Sequence, residues 1–289
     1  MTELLAAAII GGSGLYTMNG LTETSEHNVE TPFGKPSSPI IIGTLAGKRL
    51  AFLARHGVGH FISPTEVNYR ANIYALKMLG ANRIISISAC GSLREDYKPG
   101  DIVIPDQIFD NTRERPRTFF GQGMVAHVGV ADPFCPELSQ QVYNAVSGSG
   151  ASVHKGGTLI TIEGPRFSTK AESNVFRAWG MSIIGMTASP EAFLAREAEM
   201  CYSTMAHVTD YDVWHISAEP VTVDMVIQTL NKNTAVAQES LRLLVNDLDV
   251  TPRSCTCDKA LAEALISNPA VIPAATRARL DLLVGKYLK

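Results

Sequence analysis

The sequence predicts an α/β fold in which one domain is built around a parallel or mixed β-sheet. Short apolar runs alternate with amphipathic stretches along the chain, as expected for alternating strands and helices. Several runs are unbroken stretches of Val, Ile and Leu, which indicates strands buried on both faces. Because no repeat or Pro/Ser-rich linker precedes Thr251, we expect one domain over residues 1–250 and a C-terminal extension over 251–289.

Eight apolar runs are predicted to be the strands of this sheet. The first leads directly into the glycine-rich turn Gly11-Gly12-Ser13-Gly14, and the later runs are also followed by glycine or polar residues. The predicted strands cover residues 6–10, 39–45, 49–54, 83–89, 101–104, 157–162, 181–186 and 202–208.

Four amphipathic stretches of the domain are predicted to be helices. The first runs from Ser63-Pro64 to Leu79, because proline is favoured in a first helical turn and Gly80 follows the last. A second covers 169–179, a third starts at Ser189, and a long fourth covers 222–248. Two short helices, at 258–267 and 273–288, are predicted in the extension, packed on the domain or on a neighbouring subunit.

Composition and charge exclude several classes of function. The 289 residues are 45% hydrophobic, enough to bury a large core. The net charge of −3 argues against a nucleic-acid-binding or membrane-binding surface. No apolar run reaches the roughly 18 residues that span a bilayer. No basic segment precedes the N-terminal apolar stretch, so we expect a cytoplasmic protein without a signal peptide.

The five cysteines and seven histidines do not indicate a metal site. Cys90, Cys135 and Cys201 are scattered along the chain and are predicted to be buried small hydrophobic residues. Cys255 and Cys257 are too close for an unstrained disulfide, and a zinc site would need two more ligands. They are either free thiols or a redox-active pair. The histidines lack zinc-type spacing, so no metal is predicted.

Polar or glycine residues follow six of the apolar runs. Ligands of α/β sheets collect at the carboxyl ends of the strands, so these six segments predict one binding crevice. Two of its segments are the Gly-Ser-Gly turn and the pair Asp210 and Asp212. The turn is either an anion-binding nest or a plain strand-exit turn. The other four are Arg55-His56-Gly57, Ala89-Cys90-Gly91-Ser92, Glu163-Gly164-Pro165-Arg166-Phe167 and Thr187.

The residue types in this crevice suit a phosphate beside a heterocycle. Donors for an anion are Ser13, Arg55, His56, Ser88 and Thr187. Asp210 and Asp212 project to one side of an extended chain and are suited to an amino group or a protonated ring nitrogen. Each of these residues also has a purely structural interpretation when it is taken alone. Arg55 could form a salt bridge, His56 could cap a helix or lie in the core, and the two aspartates could belong to a surface turn. Phe167 and Met186 suit a planar ring or a sugar, or the ordinary core.

The sequence lacks the motifs of enzymes with a Ser-His-Asp triad and the glycine-rich motifs of nucleotide-binding enzymes. No nucleophile elbow or Ser-His-Asp order appears. The first glycine turn carries Thr17 where a dinucleotide-binding motif has its third glycine, and it has no Gly-Lys-Ser/Thr segment.

Over about residues 8 to 245 the sequence resembles the 5′-methylthioadenosine phosphorylases of the trimeric purine nucleoside phosphorylase family. The resemblance is specific because many separate motifs occur in the family's order. These motifs are IIGGSGL at 9–15, TPFGKP at 31–36, ARHG at 54–57, VNYRANIYA at 67–75, ACGSLR at 89–94, PGDIV at 99–103, IEGPRF at 162–167, Met186-Thr187 and TDYDVW at 209–214.

The resemblance implies a single-domain nucleoside phosphorylase fold with a central mixed, partly barrel-like sheet. It also implies cleavage of methylthioadenosine by phosphate to adenine and 5-methylthioribose 1-phosphate, in purine and methionine salvage. No cofactor is implied, because phosphate is a co-substrate. The extended tail is more similar to archaeal and bacterial members, so a homotrimer or a hexamer built from two trimers is expected. Alternatives are a broader phosphorylase acting on adenosine and inosine, and a non-catalytic purine-binding protein.

The resemblance also implies roles for single residues. Phosphate is expected to be bound by Ser13, Arg55, His56, Ser88, Ala89 and Thr187. Catalysis and contact with the 6-amino group and N7 are expected from Asp210 and Asp212. The remaining nucleoside contacts are Met186 at the ribose, Phe167 and Ser168 at the purine, Val223, Val226 and Ile227 at the methylthio group, and His127 of an adjacent subunit.

Overall fold

The computed structural model describes residues 4–12, 15, 18–215, 223–248 and 253–288, with backbone only for 225–233. The described part of the chain contains 11 strands in one sheet. Eight of them are β1 (Leu5–Gly11), β3 (Ile40–Leu45), β4 (Lys48–Ala54), β5 (Arg83–Ser92), β6 (Ile102–Ile104), β9 (Thr158–Ile162), β10 (Ile183–Gly185) and β11 (Cys201–Asp210). They correspond to the eight predicted runs, so the mixed α/β fold is confirmed.

Three further strands and one helix were missed by sequence reasoning. These are β2 (Thr22–His27), β7 (Gln107–Asn111), β8 (Val153–Lys155) and α2 (Pro136–Gly148). These strands are short and none of their residues is buried, so they lack the apolar run of a buried strand. Helix α2 does carry a signal, since Cys135 caps it, Pro136 opens it and Leu138 and Val142 are buried on one side.

The remaining helices are α1 (Tyr69–Met78), α3 (Lys170–Ala178), α4 (Ala188–Glu197), α5 (Val223–Asp247) and α6 (Ala274–Val284). The predicted start of the first helix at Pro64 was wrong. The helix begins at Tyr69 because the Asn68 side chain accepts a hydrogen bond from the Ala71 N–H and caps it there. The prediction at 169–179 was accurate, since Thr169 and Glu172 form a capping box.

Strand β5 is the centre of the sheet. It pairs in parallel with β1 and with β11, and its far end pairs antiparallel with β10. Strand β1 in turn pairs in parallel with β4. The carboxyl ends of β1, β4, β5 and β11 therefore meet at one edge of the sheet, where β10 also arrives. Helix α1 connects β4 to β5, whereas β1 and β4 are connected through β2 and β3.

Both faces of the sheet are buried, as the unbroken apolar runs predict. In β1, Ala8 and Ile10 belong to a core shared with α1, α4 and α6, whereas Ala7 and Ile9 belong to a second core shared with α2 and α5. Burial of alternate side chains in different cores fixes the register of this strand, because a one-residue slip would exchange the two sets.

The C-terminal segment packs on this domain in the same chain. Leu261, Leu280 and Leu283 are buried in the core that contains α1 and α4. The helix predicted at 258–267 was wrong: only a 3₁₀ turn at Cys257–Lys259 forms, followed by turns and an isolated bridge between Leu265 and Ala126. The predicted domain boundary at 250/251 lies outside the described residues.

The cysteines are not scattered in space. The sulfur atoms of Cys135 and Cys201 lie with those of Cys255 and Cys257, all within 4.8 Å of one another. The four cysteines therefore form one group, although Cys135 and Cys201 are far from Cys255 and Cys257 in the sequence.

Candidate active site

One cavity of about 750 Å³ opens at the strand edge described above. Its size is within the range of small-molecule sites. It is lined by residues from all six predicted segments, among them Gly12, His56, Ala89, Thr187 and Asp210. The prediction that six strand ends form one crevice is confirmed.

Asp210 and Asp212 lie at the end of β11 and are both buried, at 9% and 6% exposure, so they are not a surface turn. Asp210 Oδ1 accepts a hydrogen bond from the Asp212 N–H at 2.8 Å, and its Oδ2 accepts one from the Thr209 hydroxyl at 2.6 Å. Asp212 has a left-handed backbone with φ of 50°. Such strained conformations of non-glycine residues concentrate at functional sites.

The two carboxylates differ in which oxygen atoms are left without a hydrogen bond. Asp212 Oδ2 is buried and makes no well-aligned hydrogen bond among the described residues, while the nearby hydroxyls of Ser173 and Ser168 lower the pKa of its carboxyl group in part. Burial raises the pKa of both carboxyl groups, and for Asp210 the Thr209 hydroxyl and the Asp212 N–H lower the pKa in part. A buried acceptor without a partner beside a carboxyl group of raised pKa suits a ligand with an amino group and a basic ring nitrogen.

Gly91 leaves the space that these carboxylates occupy. A Cβ at this position would lie 3.0 Å from Asp210 Oδ1 and 3.3 Å from the Asp212 Cβ. Trp214 Nε1 donates a hydrogen bond to the Ser92 carbonyl at 2.7 Å and so holds the turn after β11 against the end of β5. The carboxylate pair is thus positioned by close packing of two strand ends.

The Arg55 guanidinium forms a buried ion pair with Glu191. Arg55 Nε and Nη2 donate to the two carboxylate oxygens at 2.8 and 2.9 Å, and the side chains are 3% and 0% exposed. Nη2 also donates to the Ser86 hydroxyl at 2.7 Å, and the Tyr202 hydroxyl donates to Glu191 at 2.8 Å. Glu191 therefore engages the Nε and Nη2 side of the Arg55 fork, while Arg55 still lines the cavity. Its contact with phosphate stays a prediction.

His56 also lines the cavity, and its ring orientation is set by the backbone. Its Nδ1 lies 2.9 Å from the Ile62 carbonyl, so Nδ1 carries the proton and Nε2 is the free ring nitrogen. Burial, followed by the adjacent Arg55 charge, lowers the pKa of His56 to about 4. The ring also stacks on His60, with the ring centroids 4.4 Å apart.

The remaining anion donors surround the same cavity. Thr187 is the N-cap of α4, and its hydroxyl makes no capping hydrogen bond, so it is available to a ligand. Ser88 and Ala89 lie at the end of β5 and line the cavity, as does Gly12 after β1. Ser13 lies outside the described residues.

The predicted ring and sugar contacts line the cavity as well. Phe167 is 39% exposed, so it is not a core residue, and Ser168 has a buried hydroxyl without a partner among the described residues. Met186 also lines the cavity, and its carbonyl accepts a hydrogen bond from Arg115 at 2.6 Å.

The predicted methylthio contacts are only partly described. Val223, at the start of α5, lines the cavity and is 62% exposed. The side chains of Val226 and Ile227 lie outside the described residues. His127 is exposed and is not among the residues that line the cavity of its own chain.

Sequence reasoning missed three residues that position the site. Glu191 was assigned only to a helix start, although an acidic residue behind a buried arginine was needed for charge balance. Arg115 is buried and donates to the carbonyls of Glu163 and Met186, which joins the segments after β9 and β10. His207 lines the cavity with both ring nitrogens buried and unpartnered among the described residues, and burial lowers its pKa to about 4.

Comparison with known proteins agrees with this geometry. The model of the phosphorylase superfamily matches residues 6–246. The chain is 53% identical to an S-methyl-5′-thioadenosine phosphorylase of Koribacter versatilis over 96% of this chain and 95% of the relative. It is 54% identical to the one of Geobacter sulfurreducens, over 97% and 98%.

A solved structure is similar over the same length. The crystal structure of a methylthioadenosine phosphorylase from an antarctic soil metagenomic library superposes with a TM-score of 0.93 at 47% identity, covering 97% of this chain and 99% of that one. The chain therefore belongs to the phosphorylase superfamily and, within it, to the family of the S-methyl-5′-thioadenosine phosphorylases.

Proposed function

We propose that this protein cleaves S-methyl-5′-thioadenosine with phosphate, yielding adenine and 5-methylthioribose 1-phosphate. The observation that carries the proposal is the pairing, in one cavity, of the buried carboxylates Asp210 and Asp212 with a set of anion donors. The relatives that share about half of its sequence carry this activity in their names.

Phosphate binds in this proposal at the ends of β1, β4 and β5 and at the start of α4. Backbone N–H groups near Gly12 and Ala89 and the hydroxyls of Ser88 and Thr187 donate to its oxygens, as does Ser13. Arg55 acts behind this cradle, where its ion pair with Glu191 holds the strand ends in place. His56 contributes its free Nε2, which accepts a hydrogen bond from a protonated oxygen of the bound phosphate.

The base is recognised by the carboxylates. Asp212 Oδ2 accepts an N–H of the 6-amino group, which satisfies an acceptor otherwise left unpaired. Asp210 donates its proton to N7 as the bond from C1′ to N9 breaks, so the purine leaves as a neutral base. Its raised pKa keeps that proton available nearer to neutral pH than for an exposed aspartate.

The sugar passes through an oxocarbenium-like state in this reaction. One phosphate oxygen forms the new bond to C1′ as the bond to N9 is lost, and the phosphate charge stabilises the positive sugar. Phe167 packs on the purine, Ser168 borders it and Met186 lies by the ribose. Catalysis by these groups requires no metal or organic cofactor.

The methylthio group lies in this proposal against the start of α5, at Val223, Val226 and Ile227. His127 completes the pocket from a second copy of the chain, since it does not line the cavity of its own chain. We therefore expect a homotrimer, or a hexamer of two trimers, acting in the cytoplasm in purine and methionine salvage. In the described part of the chain no helix has the length and apolar character to cross a membrane.

The test is adenine release from methylthioadenosine with and without phosphate. The proposal expects release that depends on phosphate and yields one 5-methylthioribose 1-phosphate for each adenine. Adenosine and inosine are assayed beside it, because a broader purine nucleoside phosphorylase would cleave them with similar kcat/KM. Binding of methylthioadenosine without any release would instead show a non-catalytic purine-binding protein.

A further inference from the structure

Four cysteines from distant parts of the chain meet at the start of β11, the opposite end of that strand from Asp210. We call them the cysteine cluster, which consists of Cys135, Cys201, Cys255 and Cys257. Their sulfur atoms all lie within 4.8 Å of one another, and those of Cys201 and Cys255 are 3.4 Å apart. Three of the four are buried and all are free thiols. None of them lines the cavity, so the proposed reaction does not use the cluster.

The spacing of the cluster matches a tetrahedral metal site. Zinc binds thiolate at about 2.3 Å, which places the sulfur atoms of a ZnS₄ tetrahedron about 3.8 Å apart. The Cys201–Cys255 distance of 3.4 Å lies close to this value, and no distance in the cluster exceeds it by more than about 1 Å. Two disulfides would instead draw the sulfurs together in pairs at about 2 Å. Four sulfurs gathered around one point are the ligand set of structural zinc.

The surroundings of the cluster compensate the charge that such a site carries. Four thiolates on a divalent cation leave a net charge of −2. Arg196 donates from Nη1 to the Cys257 sulfur at 3.4 Å, and Arg253 donates from Nη1 to the Cys201 sulfur at 3.5 Å. Two guanidinium groups therefore offset the two negative charges. Donors to the sulfurs are the outer partners that metal sites require.

The chain is also held around the cluster by its backbone. Cys135 is the N-cap of α2, where its sulfur accepts a hydrogen bond from the Leu138 N–H at 3.5 Å. A helix N-terminus favours a thiolate. Glu137 accepts hydrogen bonds from the Ser254 hydroxyl and the Cys255 N–H, at 2.7 and 2.9 Å, which fixes the approach of the C-terminal segment.

We propose that the cysteine cluster binds one zinc ion and that this ion joins the C-terminal segment to the sheet. All four positions are filled by protein ligands, so the site is closed to substrate and its role is structural. Binding converts four thiols and one Zn²⁺ to a tetrathiolate complex and releases four protons to solvent. The ion connects the start of β11, whose other end carries Asp210, with the segment that buries Leu261 and α6 in the first core.

The test uses the full chain, purified under a non-thiol reductant and without chelator. Metal analysis is expected to give about one zinc per chain. After removal of the zinc, Co²⁺ alone is added to the reduced protein, and the intense visible absorption of tetrahedral Co²⁺ thiolate is expected to saturate at one equivalent. A chelator should lower the melting temperature of the zinc-loaded protein.

Cys257→Ser removes one ligand and Cys90→Ser is the matched control. Loss of one ligand should weaken zinc binding by at least about tenfold, as loss of even an outer partner does. Cys90 is the fifth cysteine, buried elsewhere, and its variant should keep one zinc per chain. If Cys257→Ser does not fold, the Co²⁺ spectrum of the unchanged chain decides.

The proposal is overturned if the reduced chain takes up neither Zn²⁺ nor Co²⁺ in stoichiometric amount. This conclusion does not depend on the oxidation state of the protein isolated without reductant. It holds for four free thiols and for two disulfides within the cluster. It also fails if Cys90→Ser loses zinc and Cys257→Ser keeps it. Because the readout is bound metal, it is independent of phosphorolysis.

Discussion

Replacing Glu191 with glutamine tests whether the buried ion pair holds the strand ends of the site. Glu191→Gln keeps the volume of the side chain and removes its charge. The Arg55 guanidinium is then left buried at 3% exposure with an amide where it had a carboxylate, and the Tyr202 hydroxyl loses a charged acceptor. Removing one partner of a buried pair costs about 3–5 kcal/mol of the free energy of unfolding.

The assay is urea unfolding at one fixed protein concentration, with stability taken from the midpoint at unchanged slope. The control is Asp96→Asn, which removes the partner of Arg94 in an exposed bidentate ion pair at 2.7 Å. Exposed pairs contribute about 0–1 kcal/mol, so the control should change little. The two variants remove the same kind of contact and differ in burial.

A loss below about 1 kcal/mol for Glu191→Gln would refute the reasoning, because an unpaired buried guanidinium could not be tolerated so easily. Equal losses for the two variants would refute it as well. The phosphate KM should rise in Glu191→Gln even where the protein stays folded, since the cradle is then no longer held from behind. An unchanged phosphate KM would show that the Arg55–Glu191 ion pair does not support phosphate binding.

Three further predictions concern pH, space and phosphate. Burial raises the pKa of Glu197 to about 7, above its usual value of 4.5, so its stability contribution is present below pH 4.5 and is lost as the pH rises through 7. Glu197→Gln should remove about 3 kcal/mol of that decline, measured by urea unfolding from pH 5 to 8; an unchanged pH profile would contradict the burial argument. Gly91→Ala should keep the fold, since φ at this position does not require glycine. It should lower kcat/KM for methylthioadenosine about tenfold or more, because the new Cβ would displace Asp210. Full activity would show that the Cβ can be accommodated at 3.0 Å from Asp210 Oδ1 without displacing the carboxylate. His56→Ala should raise the phosphate KM about tenfold to a hundredfold while the nucleoside KM changes little, because a hydrogen bond to a charged group is lost; equal rises in both KM values would place His56 elsewhere.

The sequence was sufficient for the parts of the fold that are buried on both faces. All seven residues of β1 are buried and six of them are Leu, Ala or Ile, so its apolar run was visible without any partner. Strand β2 consists of exposed polar residues at the edge of the sheet, and its only signal is pairing with β3, which depends on tertiary structure. Local patterns cannot report such pairing.

The site residues also divide into those that local sequence patterns indicate and those that only the fold brings together. Residues at strand ends, such as Thr187 and Asp210, were found because parallel strands place their carboxyl ends together. The partner of Arg55 was not found, because Glu191 lies 136 residues away and only the fold brings the two together. The cysteine cluster was missed for the same reason, since Cys135 and Cys255 are 120 positions apart in the sequence.

The central claim is that Asp210 and Asp212 recognise an adenine base, and the most direct measurement compares kcat/KM for methylthioadenosine and methylthioinosine in the unchanged chain and in Asp210→Asn. The account predicts that the variant loses about 10²–10⁴-fold on methylthioadenosine, because the amide cannot protonate N7. It also predicts a gain in relative activity on methylthioinosine, because replacing one of the two carboxylates by an amide weakens the repulsion of a 6-oxo group. An unchanged preference for methylthioadenosine, with little loss of activity, would contradict the assignment of these carboxylates to the base.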